Sequence, residues 1–510
     1  MKFFSNKQYG KSSFGYLSHI IGKEPENPGD SLRAFCIVLF IFVVSPVQAQ
    51  GYTMERIINY AQENSPEALK IKTSKENQYW QWRTYKSEYK PQLVMDATLP
   101  AYQNNNIPVT QDDGSVVYRN TNQSMSYTSL SLEQNIGLTG GKIYLSTDLS
   151  RLDDFNQNTN SYSGSPFYIG VEQPLFAFNS LKWLNRIEPL KYQESLKEYA
   201  EGIETIAYNT VTMYFNLLIA QISYQIASTN KAHADTIYRI GQERYSMGKI
   251  SKNELLQLKF GVISSQKAMA NAELSIKTSL LELSSFTGLK IADDQKLLLP
   301  DKVYAFKIDG EIAIEKALEN SNRSIEFKRN ILEARRDAEQ AKRESRFQAS
   351  LSLSYGQTNI APHIPGIYDN PQTLQTLNVG VSVPILNWGR SKAKREKAMA
   401  NLQLVEYTMQ QTEINYKQEV LTEVENFNML QEFIFFTSEA DKTAEERYQI
   451  AMLRYMANDI SLTEYNIALE QKDQAKKEFV SALRDYWLAY YFIRLLTLYD
   501  FRNNVSLTNS

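Results

Sequence analysis

Gly170-Val-Glu-Gln-Pro-Leu-Phe176 and Gly380-Val-Ser-Val-Pro-Ile-Leu386 stand 210 residues apart in a chain of 510. The same interval separates Arg244-Tyr-Ser-Met-Gly-Lys-Ile-Ser251 from Arg454-Tyr-Met-Ala-Asn-Asp-Ile-Ser461, and Phe286-Thr287 from Leu496-Thr497. A constant interval over so long a stretch means that the elements between these anchors have equal lengths in the two halves, the mark of an internal repeat. Earlier anchors give another spacing. Glu63-Asn-Ser65 matches Glu319-Asn-Ser321, and Gln92 matches Gln348, both 256 residues apart. The first half therefore carries 46 extra residues between about 100 and 165, rich in turn signals such as Asp112-Asp-Gly114 and Gly140-Gly141.

Each half reads helix, strands, long helix, turn, helix. The spacing predicts helices over 53–90, 180–247 and 251–287, then 311–347, 390–457 and 461–499. Within 180–247, one seam runs Ile203, Ile206, Thr210, Met213, Leu217, Ala220, Tyr224, Ala227. A second seam, Phe215, Ile219, Ile222, Ile226, lies almost opposite, so this helix needs two helical neighbours. The strands, about 92–175 and 348–386, alternate in polarity: Leu93, Met95, Ala97, Leu99 against Val94, Asp96, Thr98, and Leu377, Val379, Val381, Val383, Ile385 against their neighbours. Eight to eleven residues with one apolar and one polar face suit a tilted strand of an outer-membrane barrel. Two or three hairpins cannot close a barrel alone, because their edges would be unsatisfied in lipid, so several copies must share one. The tyrosines Tyr102, Tyr118, Tyr127, Tyr144, Tyr162, Tyr168, Tyr355 and Tyr368 suit interfacial girdles.

The apolar run Ala34–Val47, about 14 residues, is short for the roughly 20 of a membrane-spanning helix. Arg33 precedes it and Val47-Gln-Ala49 offers small residues for a signal peptidase, so residues 1–49 read as a signal peptide with a long polar lead and Gln50 as the mature N-terminus. Cleavage there leaves a net charge of -4 and removes Cys36, the single cysteine. Glycine (21) and proline (15) make up only about 7% of the chain, against roughly 12% in an average protein, which fits long uninterrupted elements. The near-neutral charge excludes a protein held on nucleic acid by phosphate contacts. With only His233 and His363 beyond the signal segment, histidine nucleophiles and His/Cys metal sites have no material. No enzyme and no cofactor are expected.

Together, the pre-helix motifs Val171-Glu-Gln-Pro174-Leu-Phe and Val381-Ser-Val-Pro384-Ile-Leu-Asn-Trp388-Gly389, with the two tip motifs beginning at Arg244 and Arg454, resemble the outer-membrane efflux (TolC-like) family. The resemblance covers essentially the whole mature chain. It implies a mostly α fold with a transmembrane β part: a trimeric shared β-barrel continued by an α-helical periplasmic barrel. Residues 50–290 would form the first structural repeat, 291–310 an equatorial linker and 311–510 the second repeat. The expected function is the exit duct of a tripartite efflux or secretion system in the outer membrane, a homotrimer that docks a periplasmic adaptor and an inner-membrane pump. A non-conducting periplasmic coiled-coil scaffold or adaptor is the alternative.

Gly248 can take the left-handed conformation that a tight helix–helix turn needs, and Asn458 is the next best residue there. By the resemblance, Arg244, Gly248, Arg454 and Asn458 mark tip turns for adaptor docking, and Pro174, Pro384, Trp388 and Gly389 the strand-to-helix junctions. The resemblance also places Glu464 in an acidic ring at the periplasmic entrance, with Asp459, Tyr455 and Glu254 as further gate candidates. The sequence departs from the family at Ile467, the second ring position, and at Ile460, where an arginine is often seen. Gly137-Leu-Thr-Gly-Gly-Lys142 looks like a phosphate loop but has Ile143 where Ser or Thr is required, and reads as a turn between strands. The basic run Arg390–Lys397 marks the start of a helix just below the membrane. Four strands per chain, twelve in a trimer, are expected, because polarity alternates poorly in Ser124–Gln134; if that stretch and Lys142–Arg151 span, the numbers become six and eighteen.

Overall fold

The computed structural model describes residues 52–292, 294–300 and 303–509. The expected signal segment 1–49 lies outside them. The described part begins with helices α1 (Met54–Asn64) and α2 (Pro66–Ser87), where one helix over 53–90 was expected. Ser65 ends the first by turning extended (ψ 151°), and its Oγ accepts the Ala68 N–H at 3.1 Å to cap the second, which starts on Pro66. Proline there forfeits no helical hydrogen bond and brings its φ ready-made. The expected helix 311–347 is likewise two, α5 (Gly310–Asn320) and α6 (Arg323–Glu344), parted at Ser321.

The long helices α3 (Ser180–Ser246) and α7 (Arg390–Met456) have 67 residues each, about 100 Å at 1.5 Å per residue. Each turns back into a 36-residue helix, α4 (Lys252–Thr287) and α8 (Leu462–Thr497). Ile206, Thr210, Leu217, Ala220 and Ala227 of α3 are buried, as the first seam requires. Near the sheet the helices lie side by side as α2–α3–α6–α7; toward the turns the order is α4–α3–α8–α7. Helices α2 and α4 thus form one flank of the layer and α7 the other.

The segments between α4 and α5 cross the middle of the long helices. Gln221 of α3 donates to the Gln295 carbonyl (2.8 Å) and accepts the Leu297 N–H (3.0 Å). Asn428 of α7 does the same to a single residue, donating to the Ile308 carbonyl (3.0 Å) and accepting its N–H (3.1 Å). Two amides thus satisfy backbone groups that the irregular segment could not pair by itself. Under this belt lies the main core, with Tyr214, Phe215, Tyr416, Phe427, Tyr486 and Trp487 all buried.

Among the described residues, six long strands form one antiparallel sheet in chain order: β1 (Gln92–Thr110), β2 (Val116–Ile136), β3 (Gly141–Asp154), β4 (Thr159–Leu175), β5 (Gln348–Ala361) and β6 (Gln372–Ser382). This corrects the expectation of four. The extra residues are not a longer loop but a second hairpin, with Leu132 opposite Leu145 and Gln134 opposite Ile143. Its polarity pattern was weak because Thr128, Ser126 and Ser124 occupy positions on the face that carries Leu130 and Leu132. One sheet face is apolar across the strands, as in the row Leu93–Leu132–Leu145–Ile169–Tyr355. The other is polar, with Ser129 opposite Asp148 and Ser350, Ser352 and Ser354 opposite Gly380, Asn378 and Thr376. A short strand pair, β7 (Tyr499–Asp500) and β8 (Val505–Ser506), closes the C-terminal segment.

Candidate functional site

Both turns between long helices end in the same way. Gly248 (φ +70°) and Asn458 (φ +65°) adopt the left-handed conformation. Lys249 N–H returns to the Arg244 carbonyl at 2.8 Å, and Asp459 N–H to the Arg454 carbonyl at 2.9 Å. These are Schellman closures, in which the last orphan carbonyls of a helix find backbone partners. Ser251 and Ser461 then cap the return helices through the N–H groups of Glu254 (3.1 Å) and Glu464 (3.2 Å).

The side chains differ. Arg244 reaches across to the other turn, donating to the Met456 carbonyl (2.8 Å) and to Asn458 Oδ1 (3.3 Å). Arg454 stays within its own turn, 2.6 Å from Asp459 Oδ2. Glu464 completes a capping box: its Oε2 accepts from the Ser461 N–H (2.8 Å) and from the Ser461 hydroxyl (2.9 Å). These bonds hold its carboxyl below the usual carboxylate range. Tyr455, a candidate for the pore ring, is only 7% exposed. Its ring stacks on Tyr465 at 5.3 Å in a core with Ile237, Leu258, Tyr448 and Leu462, so it holds the two hairpins together and does not line a surface. Glu254 lies half-buried beside it, close enough that its charge, after burial, helps push the Tyr455 hydroxyl up.

Sequence reasoning missed a polar cluster one layer above this core. His233 Nδ1 lies 2.6 Å from the Tyr448 hydroxyl, and Lys472 Nζ sits 4.4 Å from the centre of the Tyr448 ring. Lys472 pairs with Asp473 (3.2 Å), which accepts from Asn230 Nδ2 (2.5 Å). The residues come from α3, α7 and α8, and only their convergence marks them. Beside the second turn, α7 and α8 leave a cleft of about 410 Å³ lined in part by Ile450, Arg454, Ile460, Glu464 and Ile467. Ile460 and Ile467 therefore line the same groove as Glu464.

At the other end, Pro174 belongs to β4 opposite Ser350, while Pro384 follows the end of β6. Trp388 (φ +51°) and Gly389 (φ +80°) turn the chain into α7. In the first half Asn179 makes the corresponding joint. Its Oδ1 caps α3 at the Lys182 N–H (3.0 Å), and its Nδ2 donates to the carbonyls of Gly137 and Leu138 (both 3.1 Å). The glycine-rich turn 137–140 is thus the helix-side end of the extra hairpin, pinned to the start of the long helix.

Comparison with known proteins defines the class. The sequence profile described as outer membrane efflux protein matches residues 126–289 and 313–496. A search of curated proteins finds no match. The structure is similar to the CmeC outer membrane channel of Campylobacter jejuni, at 14% identity and a TM-score of 0.64, over 98% of this chain and 93% of that one. It is similar to the outer membrane protein VceC of Vibrio cholerae, at 13% identity and a TM-score of 0.62, over 87% and 96%. The Neisseria gonorrhoeae MtrE outer membrane channel, in its open state, aligns at 14% identity and a TM-score of 0.58 over 87% and 88%. The fold is that of TolC-like channels, mostly helical with an antiparallel sheet. The chain belongs to the outer membrane efflux protein family.

Proposed function

We propose that three copies of this chain form a passive duct, a sheet barrel in the outer membrane continued by a helical tunnel into the periplasm. The observation that carries this reading is where the edges without a partner among the described residues fall. The sheet ends in β1 on the flank of α2 and α4, and in β6 on the flank of α7. On the first flank α4 exposes Leu256, Phe260, Ile263, Leu274 and Leu281; on the second α7 exposes Ile414, Leu421, Phe433, Ile450 and Leu453. One head-to-tail contact, repeated around a ring, would pair the strands and cover both seams. It would also leave the apolar sheet face to lipid and the serine-rich face to the lumen.

Three copies give eighteen strands. Six strands at about 4.8 Å spacing and about 40° tilt span roughly 38 Å of circumference, where four would span about 25 Å. Four helices packed 8–10 Å apart occupy about the same 38 Å. The extra hairpin thus supports a barrel as wide as the tunnel beneath it. The two repeats would be copies of one helix–strand–long helix–helix unit joined by the 291–310 linker. The tips would be the closed periplasmic end, opened when a periplasmic adaptor and an inner-membrane pump dock on the turns at Gly248 and Asn458.

Single-channel conductance in planar bilayers tests this with Glu464→Gln. Glutamine at this helix position still returns to the N-cap, so the variant removes charge while keeping the capping box. Small cation-selective openings are expected from the native chain, with reduced selectivity in the variant, because three Glu464 carboxylates would face the constriction with Asp459 nearby. Unchanged selectivity would take Glu464 out of the pore. A folded oligomer that never inserts would overturn the duct.

A further inference from the structure

Where the sheet meets the helices, α3, α6, α7 and the 137–140 turn enclose an open cleft of about 520 Å³. Lys182, Arg186, Arg335, Lys342 and Arg343 line it, with Glu339 as its one carboxylate among the described residues. Arg343 spends its charge on Glu339 (2.6 Å) and Arg335 on Glu406 (3.0 Å). Lys182 and Arg186 have no carboxylate partner among the described residues. The rest of the wall is largely apolar, including Leu138, Phe178, Trp183 and Met399. Leu138, 87% exposed, extends this apolar wall outward.

The cleft lies just below a belt of exposed apolar side chains. Phe176 and Phe347, ring centres 5.1 Å apart, follow β4 and precede β5. Ile385 (94% exposed) and Trp388 (90%) follow β6. Lys182 is two residues past the start of α3, and Lys342 and Arg343 lie in the last turn of α6. Within about one helical turn the surface changes from apolar and aromatic to cationic. That is the profile of a bilayer interface with acidic headgroups, where basic side chains are drawn to the surface charge. Arg390, Lys392 and Lys394 continue the cationic level on α7.

We propose that this cleft binds an anionic phospholipid of the periplasm-facing leaflet, its phosphate on Lys182 and Arg186 and its upper chain carbons against Leu138, Phe178 and Trp183. A free anion would use the cations and leave the apolar wall wet, and a lipid uses both. The assignment rests on reading the sheet as membrane-spanning.

The test uses the full chain, reconstituted into vesicles of phosphatidylglycerol or phosphatidylcholine with brominated acyl chains, and reads quenching of Trp183 fluorescence. Subtracting the signal of Trp183→Phe isolates it from Trp80, Trp82, Trp388 and Trp487. Phosphatidylglycerol is expected to reach half-maximal quenching at about tenfold lower mole fraction. In Lys182→Gln/Arg186→Gln that preference should vanish while the protein still co-floats with both kinds of vesicle. Equal quenching by the two lipids, a preference that survives the double variant, or displacement by inorganic phosphate would each overturn the site. Failure to co-float at all would instead remove the membrane reading beneath it, and the site with it.

Discussion

Arg244 and Arg454 occupy the same place in two matching turns, yet one bonds across to its neighbour and the other bonds at home. The next residue diverges as well: Tyr245 is 42% exposed and Tyr455 only 7%. Of the six buried residues in the tip core, Ile237 and Leu258 come from the first hairpin, and Tyr448, Tyr455, Leu462 and Tyr465 from the second. One motif has been given two tasks. The second hairpin supplies the aromatic slab that the first packs on, and the first supplies the arginine that ties the second turn down. Equal backbones leave the side chains free to differ, because a Schellman turn asks only for a residue that tolerates positive φ.

The largest effect should separate Tyr448 from Tyr238, its counterpart 210 residues earlier. Tyr448 is buried, and Tyr448→Ala should cost about 3–5 kcal/mol through lost burial and the cavity left behind. Tyr238 only flanks the same core, and Tyr238→Ala should cost about 1 kcal/mol. Hydrogen exchange of the tip helices measures both, and equal losses would dissolve the asymmetry. The arginines come next. Arg244→Gln should loosen the second turn and raise channel open probability about fivefold, the yield of about 1 kcal/mol for an exposed charged bond. Arg454→Gln removes a contact within one turn and should leave open probability within about twofold. If Arg454→Gln opened the channel more, the tie would run the other way.

A smaller effect should come from pH. Burial, then the charge of Lys472, hold the His233 imidazole below the usual histidine range, while Glu445 pulls it the other way. A group with a lowered folded pKa of this kind binds protons more readily once its surroundings open. The stability it contributes is therefore present above the ordinary value of 6.5 and is lost as pH falls from there toward the folded pKa. Tip exchange, corrected for intrinsic rates, should speed up several-fold between pH 7 and about 5.5, and His233→Gln should flatten that slope. The residue 210 positions on from His233, in the second hairpin, is Thr443, so the first hairpin alone should carry the dependence.

How much of this could be read from the sequence follows from what each feature depends on. The 67-residue helices and their turns were legible because seams and turn residues are local and because the two halves check each other. The extra hairpin was half legible. Its length showed as a change of interval, but its pairing hid behind serines and threonines on the apolar face, which only a neighbouring strand can show to be in register. The breaks at Ser65 and Ser321 were written as a serine beside a helix start, a signal weaker than the surrounding periodicity. Tyr455 was misplaced because a tyrosine at a tip can face a pore or a core, and the choice rests on Tyr465 across the turn. The His233–Tyr448–Lys472 cluster draws on three helices and leaves no local trace.

The smallest effect concerns the turn residues themselves. A Cβ added at Gly248 would meet nothing within 4 Å, so any penalty there comes from φ alone. Gly248→Ala should therefore cost about 1 kcal/mol, the ordinary penalty for a side chain in the left-handed region. Asn458 already has a Cβ and holds a similar φ, and Asn458→Gly relieves that strain while giving up the weak acceptor for Arg244 at 3.3 Å. The two terms oppose each other, so the change should lie within about 0.5 kcal/mol of zero. If Asn458→Gly is instead as damaging as Gly248→Ala, measured by exchange of the last turns of α3 and α7, then the Asn458 side chain carries the tie between the turns. The bond from Arg244 to the Met456 carbonyl would then be secondary. Because that carbonyl survives every substitution at 458, comparing Asn458→Gly with Arg244→Gln separates the two bonds of one guanidinium.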